Sequence, residues 1–462
     1  MPDTIIALAT PLGHSGIGVI RLSGTDSLRT VRALVSDETF TPLARVATLR
    51  KIVEPVSGEP TDEAVITYFK APNSFTGEDV VEISCHGSPI VLRQVIDLAL
   101  SNGARLAGPG EFSLRAVANG RIDLAEAEAI RDLINAQTLA AAKQSVRQMQ
   151  GEVSHLLQPL KDELLGAIVV LESALEFVED DLPKAQSDKL VSTLQNIRTS
   201  VLRLASTFKA GRLIRDGIRV ALVGLPNVGK SSLFNALLES DRAIVTEIAG
   251  TTRDQLHERF TIDNIPISLI DTAGLRDTID VIESIGVERS RRAMADADLV
   301  LVVLDSSEQF TPEDIAICTS VNAIHHLLVL NKIDKTNSQE EVIRNINDVL
   351  RSQNGHDPKA VVAVSAKTGE GLQRLMKAIV EPFSSDSLSA DGFLIADARH
   401  HDLLVRTAAG INDSINHLSE GFSEEIVLIG LHNGLRFLGE ITGETTTEDM
   451  LTRIFSTFCI GK

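Results

Sequence analysis

Short apolar runs separated by polar breaks fill the first 120 residues or so. DTIIALAT, GIGVIRL, AVITYF and DVVEIS read as strands and SPIVLRQVIDLALS as a helix, which is a mixed α/β pattern. The glycines at 13, 16 and 18 join strand to strand without GxGxxG spacing, so a dinucleotide-binding fold is not supported. After Arg121 the apolar period becomes helical. Leu157, Leu160, Leu164, Ile168, Leu171 and Leu175 recur at steps of three and four. Leu190, Leu194, Ile197, Val201, Leu204 and Phe208 do the same beyond a break at Pro183. Such stripes predict the core of a helix bundle rather than a cofactor box. From about 213 to 381 five strand-like runs alternate with helical segments, the pattern of an α/β module with a mainly parallel sheet. A Ser/Asp-rich linker, FSSDSLSADG, then leads back to helical spacing at Leu404, Ala408, Ile411, Ile415 and Leu418. The two helical regions each have one apolar face to bury, so the economical arrangement is one helical domain interrupted by the α/β module. The expected parts are 1–120, mixed α/β; 121–212, helical; 213–381, inserted α/β; and 382–462, helical, ending in Cys459-Ile460-Gly461-Lys462.

Chemistry concentrates in the inserted module. Gly224-Leu225-Pro226-Asn227-Val228-Gly229-Lys230-Ser231 lies between an apolar run ending at Val223 and the helical string SLFNALLES. Strand, GxxxxGKS and helix in that order make a phosphate-binding loop. Backbone N–H groups turn inward around the β-phosphate, Lys230 reaches the β- and γ-phosphates, and the Ser231 hydroxyl, beside Ser232, ligates Mg²⁺. Asn331-Lys332-Ile333-Asp334 ends a second apolar run, LLVL. A carboxylate at Asp334 accepts from N1–H and the exocyclic amine of guanine, whereas adenine would turn a lone pair toward it. Ser365-Ala366-Lys367 follows AVVAV and resembles the loop that meets the guanine carbonyl in GTPases. Asp271-Thr272-Ala273-Gly274 follows PISLI; Asp271 can hold Mg²⁺ through water, and the Gly274 amide can meet the γ-phosphate. Four motifs in this order imply GTP.

The residue after that glycine is Leu275, where Ras-like enzymes carry the glutamine that orients the attacking water. Hydrolysis therefore needs another water-positioner and another source of positive charge. Asn227 and the segment Thr246-Glu247-Ile248-Ala249-Gly250-Thr251-Thr252-Arg253-Asp254 suggest one. A side-chain amide oxygen with several loop carbonyls suits a monovalent cation beside the β/γ-phosphates, and Thr252 would complete the Mg²⁺ shell.

Composition narrows the setting. A chain of 462 residues has room for about three domains. Cys85, Cys318 and Cys459 lack metal or CxxC spacing, and so sparse a set suits a reducing cytoplasm. The N-terminus shows no secretory pattern, and no apolar run approaches the ~20 residues of a membrane span. Tryptophan is absent and Tyr68 is the single tyrosine, which disfavours aromatic platforms for single-stranded nucleic acid. With 44 basic against 63 acidic residues the net charge is −19, a poor match for a polyanion. If the substrate is RNA, a basic partner supplies much of the grip.

Over its whole length the sequence resembles the tRNA modification GTPase MnmE (TrmE) family. The strings that carry the resemblance are DTIIALATP, GIGVIRLSG, PNSFTGEDVVEISCHG, PGEFSLRAVANGRIDLAEAEAIRDLI, IAGTTRD, DTAGLR and the terminal Phe458-Cys459-Ile460-Gly461-Lys462. The resemblance implies a dimerising, folate-binding α/β N-terminal domain, a helical-bundle domain and an inserted Ras-like P-loop GTPase domain. It implies a homodimer that forms a heterotetramer with a flavin- and NADH-dependent partner, MnmG (GidA). Together they would add an aminomethyl or carboxymethylaminomethyl group to carbon 5 of the wobble uridine of certain tRNAs. A tetrahydrofolate, in its 5-formyl or methylene form, would supply the one-carbon unit.

Carried over by position, Arg21, Glu82 and Arg121 correspond to folate contacts, with Lys462 reaching in from the C-terminus. Glu82 suits the donors of a pterin, and the cations suit a glutamate tail; apart from the resemblance, Arg21 and Arg121 read as surface charge. Asn227, the carbonyls of Thr246 and Ile248, and Thr251 match a potassium site. Glu283 matches the acid that positions water; from the string ESIGVERS alone it reads as a solvated helix residue. Cys459 reads either as a nucleophile or redox thiol or as a small packed hydrophobe. His400 and His401 are adjacent, without ligand spacing, and read as polar residues at a helix start. The tail is expected to be a flexible charged end, mobile at Gly461, that closes over the folate. A competing function is a regulatory or ribosome-assembly GTPase without modification chemistry. Such a factor should carry a basic appendage, whereas from Phe383 onward there are 5 Lys/Arg against 12 Asp/Glu.

Overall fold

The computed structural model describes residues 3–54, 57–176, 184–240, 257–263, 265–271, 297–322, 324–336, 343–344, 346, 361–383 and 392–461. The chain divides into two compact units. One comprises Met1–Asn135, Ser145–Leu202 and Asp402–Lys462, the other Ala136–Gln144 and Arg203–His401. The architecture is multidomain α/β.

The first unit carries a six-stranded sheet of β1 (Ile5–Leu8), β2 (Ser15–Ser23), β3 (Thr48–Val53), β4 (Pro60–Phe69), β5 (Val80–Gly87) and β6 (Arg105–Leu106), in the order β3-β4-β5-β2-β1-β6. All neighbours are antiparallel except β1 and β6. Alternation along the strands sends Ile20, Leu22, Ile66, Val81 and Ile83 into one core with Leu92, Val95 and Ala99 of the helix Pro89–Ser101. Besides the four strands and one helix expected, β3, β6 and the helices Ser27–Leu34 and Glu111–Ala118 are present.

The helical stripes bury as their spacing requires. Leu157, Leu164, Ile168 and Leu171 of the helix Glu152–Glu176 are each at most 1% exposed, as are Leu194, Ile197 and Val201 of Lys184–Ser206. In the helix Ala398–Ser419, Leu404 and Ile411 are likewise buried, and Ser414 Oγ donates to Val427 O of the helix Glu424–Thr442 at 2.7 Å.

The second unit holds another six-stranded sheet: β7 (Ile218–Val223), β8 (His257–Ile262), β9 (Ile265–Asp271), β10 (Leu299–Asp305), β11 (His326–Asn331) and β12 (Val361–Ala363). Its order is β12-β11-β10-β7-β9-β8, parallel throughout except for β8 on β9. The sequence pattern showed five strands here; the sixth, HERFTI, opens with His257, Glu258 and Arg259 and so lacks the continuous apolar run that marks its neighbours. After β7 the chain adds β9 on one side and β10 on the other. The loop leaving β7 therefore stands at the switch point where doubly wound sheets bind ligands.

Candidate functional site

The phosphate loop links β7 to the helix Lys230–Ser240, with Gly224 at φ +155° and Gly229 at φ +95°. A Cβ on Gly224 would stand 2.3 Å from the Val303 carbonyl oxygen, and one on Gly229 2.3 Å from Asn331 Nδ2, so only glycine lets the loop lie this close to β10 and β11. Asn227 also has positive φ, +63°. Lys230 Nζ donates to the carbonyls of Gly224 at 2.9 Å and Leu225 at 2.7 Å, which holds the ammonium over the cradle. Val228 is buried, while Ser231 and Ser232 are exposed in the first turn of the helix. The residues present fit a nucleotide phosphate chain with its magnesium: a glycine cradle, one ammonium, and a free hydroxyl at a helix N-terminus.

Asn331, 1% exposed, braces this loop from the end of β11. Its Nδ2 donates to Val228 O at 2.9 Å, and its Oδ1 accepts from Ala366 N at 3.1 Å. One side chain thus fastens the phosphate loop to the Ser365-Ala366-Lys367 loop. Lys332, at φ +65°, adds a second tie, donating to Asn227 O at 2.7 Å and Asp305 Oδ2 at 2.5 Å. Burial alone would raise the Asp305 pKa; the bonds from Lys332 and Ser307 hold it below its usual value. Asp334 is exposed, and its Oδ1 accepts from the Ser365 hydroxyl at 2.7 Å. That bond, with Lys367 and Lys335 nearby, keeps the carboxyl below its ordinary range and so available as an acceptor. Neither Asp305 nor the bracing role of Asn331 was singled out from sequence. The signal for Asp305 was present, since an acid ends the buried run LVLVVLD at the switch point.

In the first unit, Arg21 of β2 lies opposite Glu82 of β5 in the strand register. Arg21 Nε and Nη2 donate to Glu82 Oε1 at 3.0 and 2.7 Å, and its guanidinium carbon stands 5.6 Å from the Phe75 ring centroid and 5.9 Å from that of Phe112. Arg121, exposed, donates through Nε to Ser74 O at 3.2 Å, beside Phe75. The C-terminal segment also comes here. Ile460 bridges Pro109, Gly110 N donates to Cys459 O at 3.2 Å, and Arg21 Nη1 reaches Gly461 O at 3.5 Å. The tail is therefore not free at Gly461 as expected. Gly461 is buried at φ +95°, and a Cβ there would stand 2.6 Å from the Leu8 carbonyl oxygen. Paired carboxylate and guanidinium, aromatic rings and a backbone acceptor are a donor set that fits a planar, polar-edged ligand with an anionic tail.

Cys459 is exposed, whereas Cys85 and Cys318 are buried, and burial pushes both of those thiols up to about 12. His400 is buried in the first turn of its helix, and its Nε2 lies 3.0 Å from Arg399 Nη2. Among the described residues no group of three His, Cys, Asp or Glu could hold a metal ion. No helix described is long and apolar enough to cross a membrane. Thr246, Glu247, Ile248, Ala249, Gly250, Thr251, Thr252, Thr272, Ala273, Gly274, Glu283 and Lys462 lie outside the described residues, as does the side chain of Asp271.

Comparison with known proteins covers the same ground. The family model described as MnmE helical domain matches residues 124–459, and that described as GTP-binding protein TrmE N-terminus matches 4–121. The tRNA modification GTPase MnmE of Koribacter versatilis is 43% identical over 466 residues, covering 100% of both chains. That of Aquifex aeolicus is 40% identical over 467 residues, again with 100% of each chain covered. Among solved structures, the G domain of the T. maritima FeoB iron transporter is 30% identical over 36% of this chain and 97% of its own, with a TM-score of 0.25. On its match to the helical-domain model and its end-to-end identity with these relatives, the chain belongs to the tRNA modification GTPase MnmE family.

Proposed function

We propose that the chain is a GTP-hydrolysing enzyme of tRNA modification that, with an MnmG (GidA) partner, alters carbon 5 of the wobble uridine using a one-carbon unit from a reduced folate. The observation that carries the GTPase half is the brace at Asn331, which joins the phosphate loop to the Ser365-Ala366-Lys367 loop while Asp334 stays exposed and anionic beside it. In this reading Asp334 selects guanine, Lys230 and the Gly229 amide hold the phosphates, and Ser231 with Thr252 holds Mg²⁺, which neutralises charge on the transferring phosphoryl group. Thr272, Ala273 and Gly274 border the γ-phosphate. Asn227, Thr246, Ile248 and Thr251 hold a potassium ion in place of an arginine finger, and Glu283 orients the attacking water where Leu275 cannot.

Family membership supports tRNA as the substrate. With a net charge of −19, the chain suits a division of labour in which a basic partner grips the RNA. The folate half rests on Arg21, Glu82 and Arg121, with Lys462 and Cys459 from the tail. Glu82 meets the pterin donors and the cations meet the glutamate carboxylates. A homodimer, a heterotetramer with MnmG and a cytoplasmic setting complete the reading. Equilibrium dialysis with 5-formyltetrahydrofolate tests it: wild-type protein should bind, and Arg21→Ala should weaken binding at least about tenfold, as loss of a charge-assisted contact does. Equal binding by both proteins, or none by either, would remove Arg21 from the site.

A further inference from the structure

The tail that borders Arg21 and Glu82 is gripped just upstream of Cys459. Arg131, on the helix Leu124–Asn135, places its guanidinium carbon 5.3 Å from the ring centroid of Phe458. Its Nη1 donates to Thr457 Oγ1 at 3.3 Å, and its Nε and Nη2 both donate to Asp132 Oδ1 at 3.1 Å. Asp132 thereby sets the plane of the guanidinium, and the Arg131 side chain is only 17% exposed. Phe458 is buried, its ring tilted against Phe455 with centroids 4.8 Å apart. The next three residues are those that meet the N-terminal sheet: Cys459 O accepts from Gly110 N, Ile460 bridges Pro109, and Gly461 O lies at Arg21. Two of those contacts are backbone to backbone, the third is a long bond from the Arg21 side chain, and Cys459 and Ile460 are exposed, so they are a weak hold on the segment by themselves. The clamp on the ring and hydroxyl just before them supplies the anchor.

We propose that Arg131 is a positioning residue for tRNA modification: through Phe458 and Thr457 it fixes the register of the tail, and so the place of Cys459 and of the Gly461 carbonyl beside Arg21 and Glu82. This rests on the reading that the tail serves the modification chemistry. Removing a desolvated cation from an aromatic face, with one hydrogen bond, should raise the detached fraction of the tail about tenfold.

The test uses full-length Arg131→Ala and Arg131→Lys, with Phe458→Leu as a variant that keeps the position apolar but removes the π face. Hydrogen exchange of the Gly110 amide and of the peptide spanning 456–462 should quicken about tenfold in Arg131→Ala and Phe458→Leu. Wobble-uridine modification should fall at least about tenfold in cells carrying either as the sole copy. GTP turnover of purified Arg131→Ala should stay within about twofold of wild type, and Arg131→Lys, which keeps the cation without the planar fork, should be intermediate. Unchanged exchange, full modification in Arg131→Ala, or a parallel loss of GTP turnover would overturn the proposal. Cys459→Ser separates the two levels: full modification in that variant refutes a role for the thiol itself, whereas its loss alongside full modification in Arg131→Ala refutes only the clamp.

Discussion

Truncating Asn331 to alanine removes both ends of one brace. The Val228 carbonyl loses its 2.9 Å donor and the half-buried Ala366 amide its 3.1 Å acceptor; the first bond is fully buried, so water cannot readily replace it. A buried polar group left unpaired costs about 1–3 kcal/mol, which applies in full at the Val228 carbonyl. The strand itself persists, because the Asn331 carbonyl still accepts from Ser306 N at 2.9 Å and Ser306 Oγ at 2.7 Å. The loss should therefore fall on the mutual placement of the phosphate loop and the Ser365-Ala366-Lys367 loop. If about 2 kcal/mol of it appears in binding, the Kd for GDP rises about thirtyfold. Titration with a fluorescent GDP analogue in magnesium and potassium buffer measures this, with a thermal scan to show that the variant is folded. Ser306→Ala, which leaves both loop contacts intact, serves as the control and should change affinity less than about threefold. A folded Asn331→Ala that binds GDP within threefold of wild type would refute the brace.

Glu283→Ala should leave GTP binding near wild type while slowing hydrolysis about 10²–10⁴-fold, the range for a positioned base; a small rate effect or lost binding would return Glu283 to the solvated surface. Replacing sodium by potassium at fixed ionic strength should raise turnover markedly, and Asn227→Ala should blunt that response; equal rates in the two salts would end the cation-site reading. Acid should weaken the N-terminal sheet through Asp3 and Glu111. Burial alone would raise both pKa values, but the hydrogen bonds and charges of Arg105 and Arg115 outweigh it and hold them below 3.8 and 4.5. Because the folded values are the lower ones, this stabilisation is complete above pH 4.5 and is lost as pH falls through the folded values. Tyr68, the single tyrosine, lies in β4 with its hydroxyl on Asp79, so its fluorescence reports on this sheet. Tyr68 fluorescence that stays unchanged as the pH falls well below 3.8 would argue against this acid response.

What could be read from the sequence was what is local. The helical stripes, the buried runs before Gly224 and Asn331, and the phosphate-loop string each state their structure within a dozen residues. The strand TLRKIV was missed because it buries only Ile52, and EFSLRAVA because proline and glycine bracket a short helix with a charged residue in its core. That residue, Arg115, is 1% exposed; besides Glu111, one helical turn away, it donates to Asp3 and Glu78, partners that no local pattern would suggest for an arginine. Arg21 and Glu82 are 61 residues apart and meet only through the register of β2 on β5; their pairing entered the reading by resemblance, not by spacing. The seating of the tail was hidden for the same reason. A glycine such as Gly461 suggests freedom, and only the sheet it lands on, with the Leu8 carbonyl against it, makes it a fixed point.

GTP hydrolysis and the folate-facing tail are proposed to serve one reaction on tRNA. Mass spectrometry of nucleosides from the tRNA of a strain lacking this chain tests it most directly, with the strain complemented by wild type, Lys230→Ala or Cys459→Ser. The deletion should abolish the aminomethyl-type modification at carbon 5 of the wobble uridine, wild type should restore it, and neither variant should. A deletion strain with an unchanged wobble-uridine profile would contradict the proposal.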